Sequence, residues 1–286
     1  MPEPHEPSRF DDAIALAANG DGVLRGSLDP RWWGGAGPHG GYLAAIIVRA
    51  SLTEADRRQK LRSVTLHYLQ AAQPGPIEVD RDPVRRTRTS TTLRLTMVQH
   101  GAVIVIAVAT MLAGRAGPEF DDVVMPDVPA ADLTPVDKFR FRRGVSDFAP
   151  AFSNQLEYRP CIGPEPLSGG EEAIAGGWLR LRDERSLDEP AAAVLVDGWW
   201  PAVWSRLWQL PRIPTVDLTI HFRRPLPATN SPVLAVFRSK AAAGGFVDED
   251  GELWSPDGQL LVQSRQLAVL VAPPDALEPP ASGPAR

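Results

Sequence analysis

Residues 38–54, PHGGYLAAIIVRASLTE, decide the fold. The opening proline suits the first turn of a helix, and the apolar side chains after it recur at helical spacing. These side chains are Tyr42, Leu43, Ile46, Ile47 and Ala50. Because apolar residues dominate the stretch, we predict a buried helix from Pro38 to about Glu54.

Strand-like segments lie on both sides of this helix in the sequence. Before it, residues 11–28 look like one or two short strands, closed off by a loop containing Gly34, Gly35 and Gly37. After it come four extended segments separated by proline and glycine, at about 62–71, 76–88, 91–99 and 102–113. The pattern predicts one helix followed by an antiparallel meander.

The second half of the chain repeats this order. Residues 115–147 are rich in Pro, Asp and Ala without a steady period, as in a linker. Then come two strand-like segments, a helix-like segment and four more strand-like segments, at about 155–161, 173–183, 190–210, 214–224, 231–242, 246–254 and 259–271. Local matches support a repeat. Residues 65–68 (TLHY) match 219–222 (TIHF), and the His100-Gly101 turn matches Asp257-Gly258.

We therefore predict an α+β protein with two central helices, each wrapped by an antiparallel β-sheet. The N-terminal module spans 10–114, the linker 115–147 and the C-terminal module 148–271. The proline-rich tail, 272–286, is predicted to be disordered.

The composition excludes several classes of function. A net charge of −5 leaves no positive surplus for nucleic acid, and the most apolar run, 102–113, is too short to span a membrane. Cys161 is the only cysteine, which excludes a disulfide framework and a thiolate metal site and favours the reducing cytoplasm. The N-terminal residues lack the apolar segment of an export signal. Motifs of serine hydrolases, phosphate loops and zinc proteases are missing, so a covalent serine or cysteine mechanism is disfavoured.

Three polar residues of the second half stand out. Asp197 follows Val194-Leu195-Val196 near the start of the predicted second helix. A carboxylate among apolar groups is a candidate proton acceptor, and the alternative is a helix N-cap. Gln266 shares a strand face with small and apolar residues, where its amide needs a partner, whereas Ala109 occupies the matching position of the first half. Thr215 begins a strand, where threonine is common.

The start of the first helix is a further candidate site. The backbone N–H groups of Gly40 and Gly41 have no partner inside a helix and can donate hydrogen bonds to an oxyanion. His39 beside them is a candidate for acid–base chemistry. A capping or packing histidine is the interpretation that we favour for it.

With these residues identified, the chain from about residue 10 to 271 resembles the tandem hot-dog thioesterases of the acyl-CoA thioesterase II type. Asp197, Thr215 and Gln266 match the three active-site positions of that family. Two further motifs of the family resemble the segments 222–225 (FRRP) and 38–42 (PHGGY).

The resemblance implies a double hot-dog fold and an acyl-CoA thioesterase of lipid metabolism. Asp197 as general base, with Thr215 and Gln266, would position and polarise one water molecule against the thioester carbonyl, without a covalent intermediate. The oxyanion would be held by the N–H of Gly198, or by those of Gly40 and Gly41 from the other half. Neither a metal nor a redox cofactor is implied, because coenzyme A is part of the substrate. Both a monomer and a homodimer agree with a fused pair of modules.

Two other functions are compatible with the same fold. One is an acyl-CoA binding protein that holds the thioester without turnover. The other is an enoyl or hydroxyacyl thioester hydratase acting through His39 and an acidic partner, which ranks lower because Thr215 and Gln266 would be idle. A purely structural role ranks last, since a buried Asp and Gln cost stability unless they are used or paired.

Overall fold

The computed structural model of the protein describes residues 10–35, 37–137, 149–183 and 185–279. Within them, the helices are α1 (Phe10–Ala13), α2 (Gly40–Leu52) and α3 (Glu189–Leu195). The strands are β1 (Ala17–Ala18), β2 (Leu24–Leu28), β3 (Gln59–Tyr68), β4 (Gly75–Arg86), β5 (Ser90–Gln99), β6 (Ala102–Ala113), β7 (Leu156–Ile162), β8 (Ile174–Leu181), β9 (Thr215–Phe222), β10 (Val233–Arg238), β11 (Ala242–Ala243), β12 (Phe246–Trp254) and β13 (Leu260–Val269).

These strands form one antiparallel sheet, and its centre is the pair β3–β9. On one side of this pair the order is β6, β5, β4, β2, β1, and on the other it is β13, β12, β10, β8, β7. The order therefore reads the same outward from the centre in both halves. The two segments matched in sequence, 65–68 and 219–222, meet at this centre, where the Thr65 and Thr219 hydroxyls are 3.0 Å apart.

The two longer helices pack against each other. Helix α2 also contacts β3 to β6, and α3 contacts β8. The side chains of α2 are buried along most of its length, as its apolar sequence predicts. Gly41 allows the close approach, because a Cβ atom there would lie 2.9 Å from the carbonyl oxygen of Ala193 in α3. In the described part of the chain, the longest helix has 13 residues, and none is long and apolar enough to cross a membrane.

The strand predictions after each helix are confirmed to within about three residues, but the helix predictions need correction. Helix α2 begins at Gly40, with His39 as its N-cap, so Pro38 lies outside the helix. The predicted helix over 190–210 ends at Leu195. Gly198 and Pro201 explain the early end, because glycine weakens a helix and proline lacks the N–H that would continue it.

The prediction of a disordered tail is wrong for residues 272–279. Ala276 is buried beside Leu207 and Val203, and its carbonyl oxygen accepts a hydrogen bond from the Trp208 N–H at 2.8 Å. A small apolar side chain and one backbone acceptor thus hold this segment against the protein. The remaining tail, 280–286, and residues 138–148, which comprise the end of the predicted linker and the first residue of the C-terminal module, lie outside the described residues. The module boundaries stay predictions.

Candidate active site

Asp197 lies two residues after the end of α3, and not near the start of a helix as its sequence context suggested. The N-cap of α3 is Asp188, whose carboxylate accepts a hydrogen bond from the Ala191 N–H at 3.0 Å. The capping role considered for Asp197 is therefore wrong. The last carbonyls of a helix lack partners within it. The carbonyl groups of the turn that carries Asp197 therefore need hydrogen-bond donors from other elements.

Three consecutive carbonyls, those of residues 196–198, accept hydrogen bonds from side chains of other elements. The donors are Ser264 of β13, His39 at the start of α2 and Tyr158 of β7, at 3.4, 2.7 and 2.9 Å. The turn is thus fastened to both halves of the molecule. This fixes the backbone from which the Asp197 carboxylate projects.

His39 has the packing and capping role that we favoured. Its Nδ1 accepts the Tyr42 N–H at 3.3 Å, so its Nε2 carries the hydrogen that the Asp197 carbonyl accepts. The ring also stacks on Phe152, with centroids 4.1 Å apart. Both ring nitrogens are thereby engaged, although Nε2 also lies 3.3 Å from Asp197 Oδ2.

The Asp197 carboxylate accepts an N–H on each of its oxygens. Oδ2 accepts from the Gly41 N–H at 2.6 Å, and Oδ1 accepts from Gln266 Nε2 at 3.3 Å. The first contact places the carboxylate at the N-terminus of α2, where the helix dipole and unpaired N–H groups favour negative charge. One half of the chain therefore supplies the carboxylate, and the other supplies the helix end that holds it.

Thr215 and Gln266 complete a connected group with Asp197. The Thr215 hydroxyl donates to Gln266 Oε1 at 2.9 Å, while Gln266 Nε2 donates to Asp197. The structure thus brings together the three residues proposed for catalysis from the sequence. Their chemical roles remain predictions.

Sequence reasoning missed a fourth member of this group, Glu249 of β12. Its side chain is buried, and its two oxygens accept from Gln266 Nε2 at 2.9 Å and from the Ala202 N–H at 2.5 Å. Burial raises the pKa of Glu249 to about 7. The signal lay in the alternation of β12, which turns Val247 and Glu249 inward, but the neighbouring acidic residues made this strand look solvated.

The first half has no such group at the matching place. In the second half, a cross-strand row consists of Leu218, Gln266 and Glu249. The corresponding row of the first half consists of Val64, Ala109 and Leu93, all fully buried. The fold therefore does not require polar residues at this position, and only one of the two halves carries them.

The predicted oxyanion donors differ in whether their N–H groups already have a hydrogen-bond acceptor. The Gly41 N–H is taken by Asp197, and the Gly198 N–H bonds to the Leu195 carbonyl at 3.1 Å. Gly198 is thus a wrong prediction, because it packs against core leucines and away from the cavity. Gly40 does line the cavity, and its N–H makes no hydrogen bond to any residue that the structure describes.

A cavity of about 740 Å³ opens above these residues. Asp197, Thr215, Glu249 and Gln266 form one part of its polar lining, and the other polar lining residues are His39, Tyr68, Gln70, Arg212 and Ser239. Its apolar wall consists mainly of Trp199, Pro201, Val203, Trp204, Leu210, Pro211, Ile213, Val247 and Ala268. Burial, with the nearby Asp197 charge, raises the pKa of Tyr68 well above its usual value, so its hydroxyl stays a donor to the Gly40 carbonyl at 3.0 Å.

We expect Gly41→Ala to lower both stability and any activity of this site. The new Cβ would lie 2.9 Å from the Ala193 carbonyl oxygen and 3.0 Å from Asp197 Cβ. Overpacking of this kind costs about 1–3 kcal/mol. Thermal unfolding and turnover should both fall relative to Gly117→Ala, whose Cβ meets no atom within 4 Å. Equal values for the two variants would contradict this account of the helix contact.

Comparison with known proteins gives consistent matches over both halves. Residues 29–112 match the sequence model of the acyl-CoA thioesterase N-terminal domain, and residues 126–270 match that of the acyl-CoA thioesterase C-terminal domain. No curated protein sequence matches.

Solved structures match along most of the chain. A hot-dog protein of unknown function from Alicyclobacillus acidocaldarius is 29% identical, with a TM-score of 0.84, and the match covers 92% of this chain and 98% of that one. A Thermobifida fusca protein, provisionally named a thioesterase II, is 25% identical, with a TM-score of 0.78 and coverage of 93% and 98%. An acyl-CoA thioesterase II of Mycobacterium marinum is 21% identical, with a TM-score of 0.73 and coverage of 93% and 99%. This chain thus shares its fold with these structures, the first of which is described as having a hot-dog fold.

Proposed function

Because this chain belongs to the acyl-CoA thioesterase family, we propose that it hydrolyses acyl-CoA thioesters at the site around Asp197. Thioester hydrolysis is the reaction of this family, and the resemblance to it seen in the sequence is confirmed. The observation that carries the assignment of the site is the hydrogen-bonded group of Thr215, Gln266 and Asp197 beside the N-terminus of α2.

In the proposed reaction, Asp197 is the general base. The Thr215 hydroxyl hydrogen is donated to Gln266, so the lone pairs of that oxygen can accept a hydrogen bond from the attacking water. The water oxygen bonds to the thioester carbonyl carbon while Asp197 takes a proton. The carbon–sulfur bond then breaks, and the proton taken up by Asp197 passes to the departing thiolate, which regenerates the base. The products are a carboxylic acid and coenzyme A, and no covalent enzyme intermediate forms.

Gly40 is our choice for the donor to the developing oxyanion. Its N–H lies at the start of α2, where backbone donors and the helix dipole favour negative charge. It lines the same cavity as Asp197, and a Cβ at Gly40 would lie 3.0 Å from Asp197 Oδ2. The apolar wall of the cavity would receive the acyl group.

We infer a double hot-dog arrangement from the same features. The matching strand orders outward from β3–β9, with one helix in each half, support two fused modules. A cytoplasmic location and a role in lipid metabolism belong to the proposal, the first because of the single cysteine. The use of no metal or redox cofactor and the option of a homodimer stay predictions.

Release of free thiol from short, medium, long and aromatic acyl-CoAs tests the proposed function. We expect hydrolysis of at least one class by the wild-type protein. Tight acyl-CoA binding without thiol release would instead select the binding-protein alternative.

The hydratase alternative makes a different prediction. It requires activity that is lost in His39→Ala and kept in Asp197→Asn. The engagement of both His39 ring nitrogens speaks against it, because a proton shuttle needs a nitrogen that faces the substrate.

A further inference from the structure

Glu249 is a buried acid to which the proposed reaction gives no direct role. It belongs to β12, lines the cavity and pairs across the sheet with Gln266 of β13. Each of its oxygens faces one N–H donor: Gln266 Nε2 at 2.9 Å and the backbone N–H of Ala202 at 2.5 Å. Ala202 begins the short helical turn after Pro201, which forms part of the cavity wall.

Only an ionised carboxylate satisfies both donors. A glutamine has a hydrogen-bond acceptor on one side and a donor on the other, and a protonated acid has an O–H group on one side, whose oxygen is a weaker acceptor than a carboxylate oxygen. A glutamine would set two donors against each other, at Ala202 or at Gln266, and a protonated acid would bind one of the two donors only weakly. The arrangement therefore specifies both the residue type and its charge.

This contact fixes which way the Gln266 amide points. Its nitrogen faces the Glu249 and Asp197 carboxylates, and its oxygen accepts from Thr215. A flipped amide would place its oxygen against two carboxylates and its NH₂ against the threonine. With Glu249 in place, the Thr215 hydroxyl must give its hydrogen to Gln266, which leaves its lone pairs for a water molecule.

We propose that Glu249 is a positioning residue for the hydrolysis, acting through the Gln266 amide on Thr215 and Asp197. This inference rests on the proposed function of the site. The row Val64, Ala109 and Leu93 of the first half supports it, because that row packs with apolar residues alone. If the row of the second half had only a structural role, apolar residues alone could have filled it as well.

The charge requirement makes the role depend on pH. Burial, with the charges of Asp197 and Asp250, raises the pKa of Glu249 to about 7, against the opposing hydrogen bonds from Ala202 and Gln266. The carboxylate form is thus lost as the pH falls through about 7. His39 and Tyr68 also lie close to Asp197, and His39→Gln is the control for a contribution of His39 to the loss of kcat at low pH.

The test compares Glu249→Leu and Glu249→Gln with Glu252→Gln, a neighbour on the opposite face of β12 that pairs with Arg238. We expect kcat to fall about tenfold in both Glu249 variants with little change in KM, because substrate contacts persist while the water is poorly placed. The fall in wild-type kcat below about pH 7 should vanish in Glu249→Leu and persist in His39→Gln. Glu252→Gln should match the wild type. If one Glu249 variant does not fold, the other decides.

Wild-type kcat with an unchanged pH profile in a folded Glu249 variant would overturn the positioning role. A second measurement distinguishes failure of the positioning role from failure of the proposed hydrolase function. The side-chain amide signals of Gln266, assigned by their loss in Gln266→Ala, should shift in nuclear magnetic resonance spectra of Glu249→Leu even if no thioester is hydrolysed. An inactive wild type with shifted signals would refute the hydrolase and keep the positioning, and unshifted signals would refute the positioning.

Discussion

Asp197→Asn is expected to lower kcat/KM for acyl-CoA hydrolysis at least about 100-fold, the usual scale for loss of a general base. The amide cannot take a proton from water at neutral pH. It also has one acceptor where Asp197 has two, so either the Gly41 N–H or Gln266 Nε2 would face another donor. We therefore expect the change mainly in kcat, with the protein still folded.

Asp250→Asn is the matched control, because it removes the same charge from the other face of β12. Asp250 pairs with Arg265 at 2.8 Å on the surface, and surface pairs contribute little to stability. Because the Asp250 charge contributes to the raised pKa of Glu249, the comparison is made well above pH 7, where the kcat/KM of this control should equal that of the wild type. If Asp197→Asn retained activity within about threefold of this control, Asp197 would not be the base, and the next candidate would be Glu249.

Much of the strand arrangement was predictable because it depends on local signals. The turn at His100-Gly101 needs left-handed backbone, which Gly101 adopts with a φ of 77°, and Gly258 does so in the second half with a φ of 87°. Glycine takes this conformation without strain. The alternation of apolar residues then sets which face of each strand is buried.

The site was predictable only as separate residues. Asp197, Thr215 and Gln266 were identified individually, and their hydrogen bonds span 51 and 69 positions of the chain. The contact from Gly41 to Asp197 spans 156. No local pattern encodes such contacts, which depend on how α2 and α3 pack.

Glu249 and the end of α3 show two different reasons why prediction from the sequence failed. The acidic neighbours of Glu249 hid an inward-facing carboxylate whose partners, Gln266 and Ala202, come from other segments. The apolar run after Leu195 looked helical because buried turns and buried helices share a composition. Hydrogen bonds from Ser264, His39 and Tyr158 to its carbonyl groups help to stabilise the turn there.

Gln266→Ala is expected to reduce kcat about 100-fold, because the amide orients both Thr215 and Asp197 and small misplacements carry a cost of this size. It should also destabilise the protein by about 1–3 kcal/mol, since the buried Glu249 loses one of its two donors. Gln263→Ala is the control on the opposite face of β13, where the side-chain oxygen accepts a hydrogen bond from Arg223 at the surface. Kinetics and denaturant unfolding of both variants check these expectations.

The double variant Glu249→Leu/Gln266→Ala separates stability from activity. Its row would have the same apolar character as Val64, Ala109 and Leu93, which the first half packs without strain or a polar partner. We expect it to be more stable than Gln266→Ala alone, with a favourable coupling of about 0.5–3 kcal/mol in the double-mutant cycle, while kcat stays as low. Additive losses of stability would mean that the polar pair supports the fold itself. Recovery of stability without activity would mean that this half of the molecule keeps a buried acid and amide for the chemistry of the site.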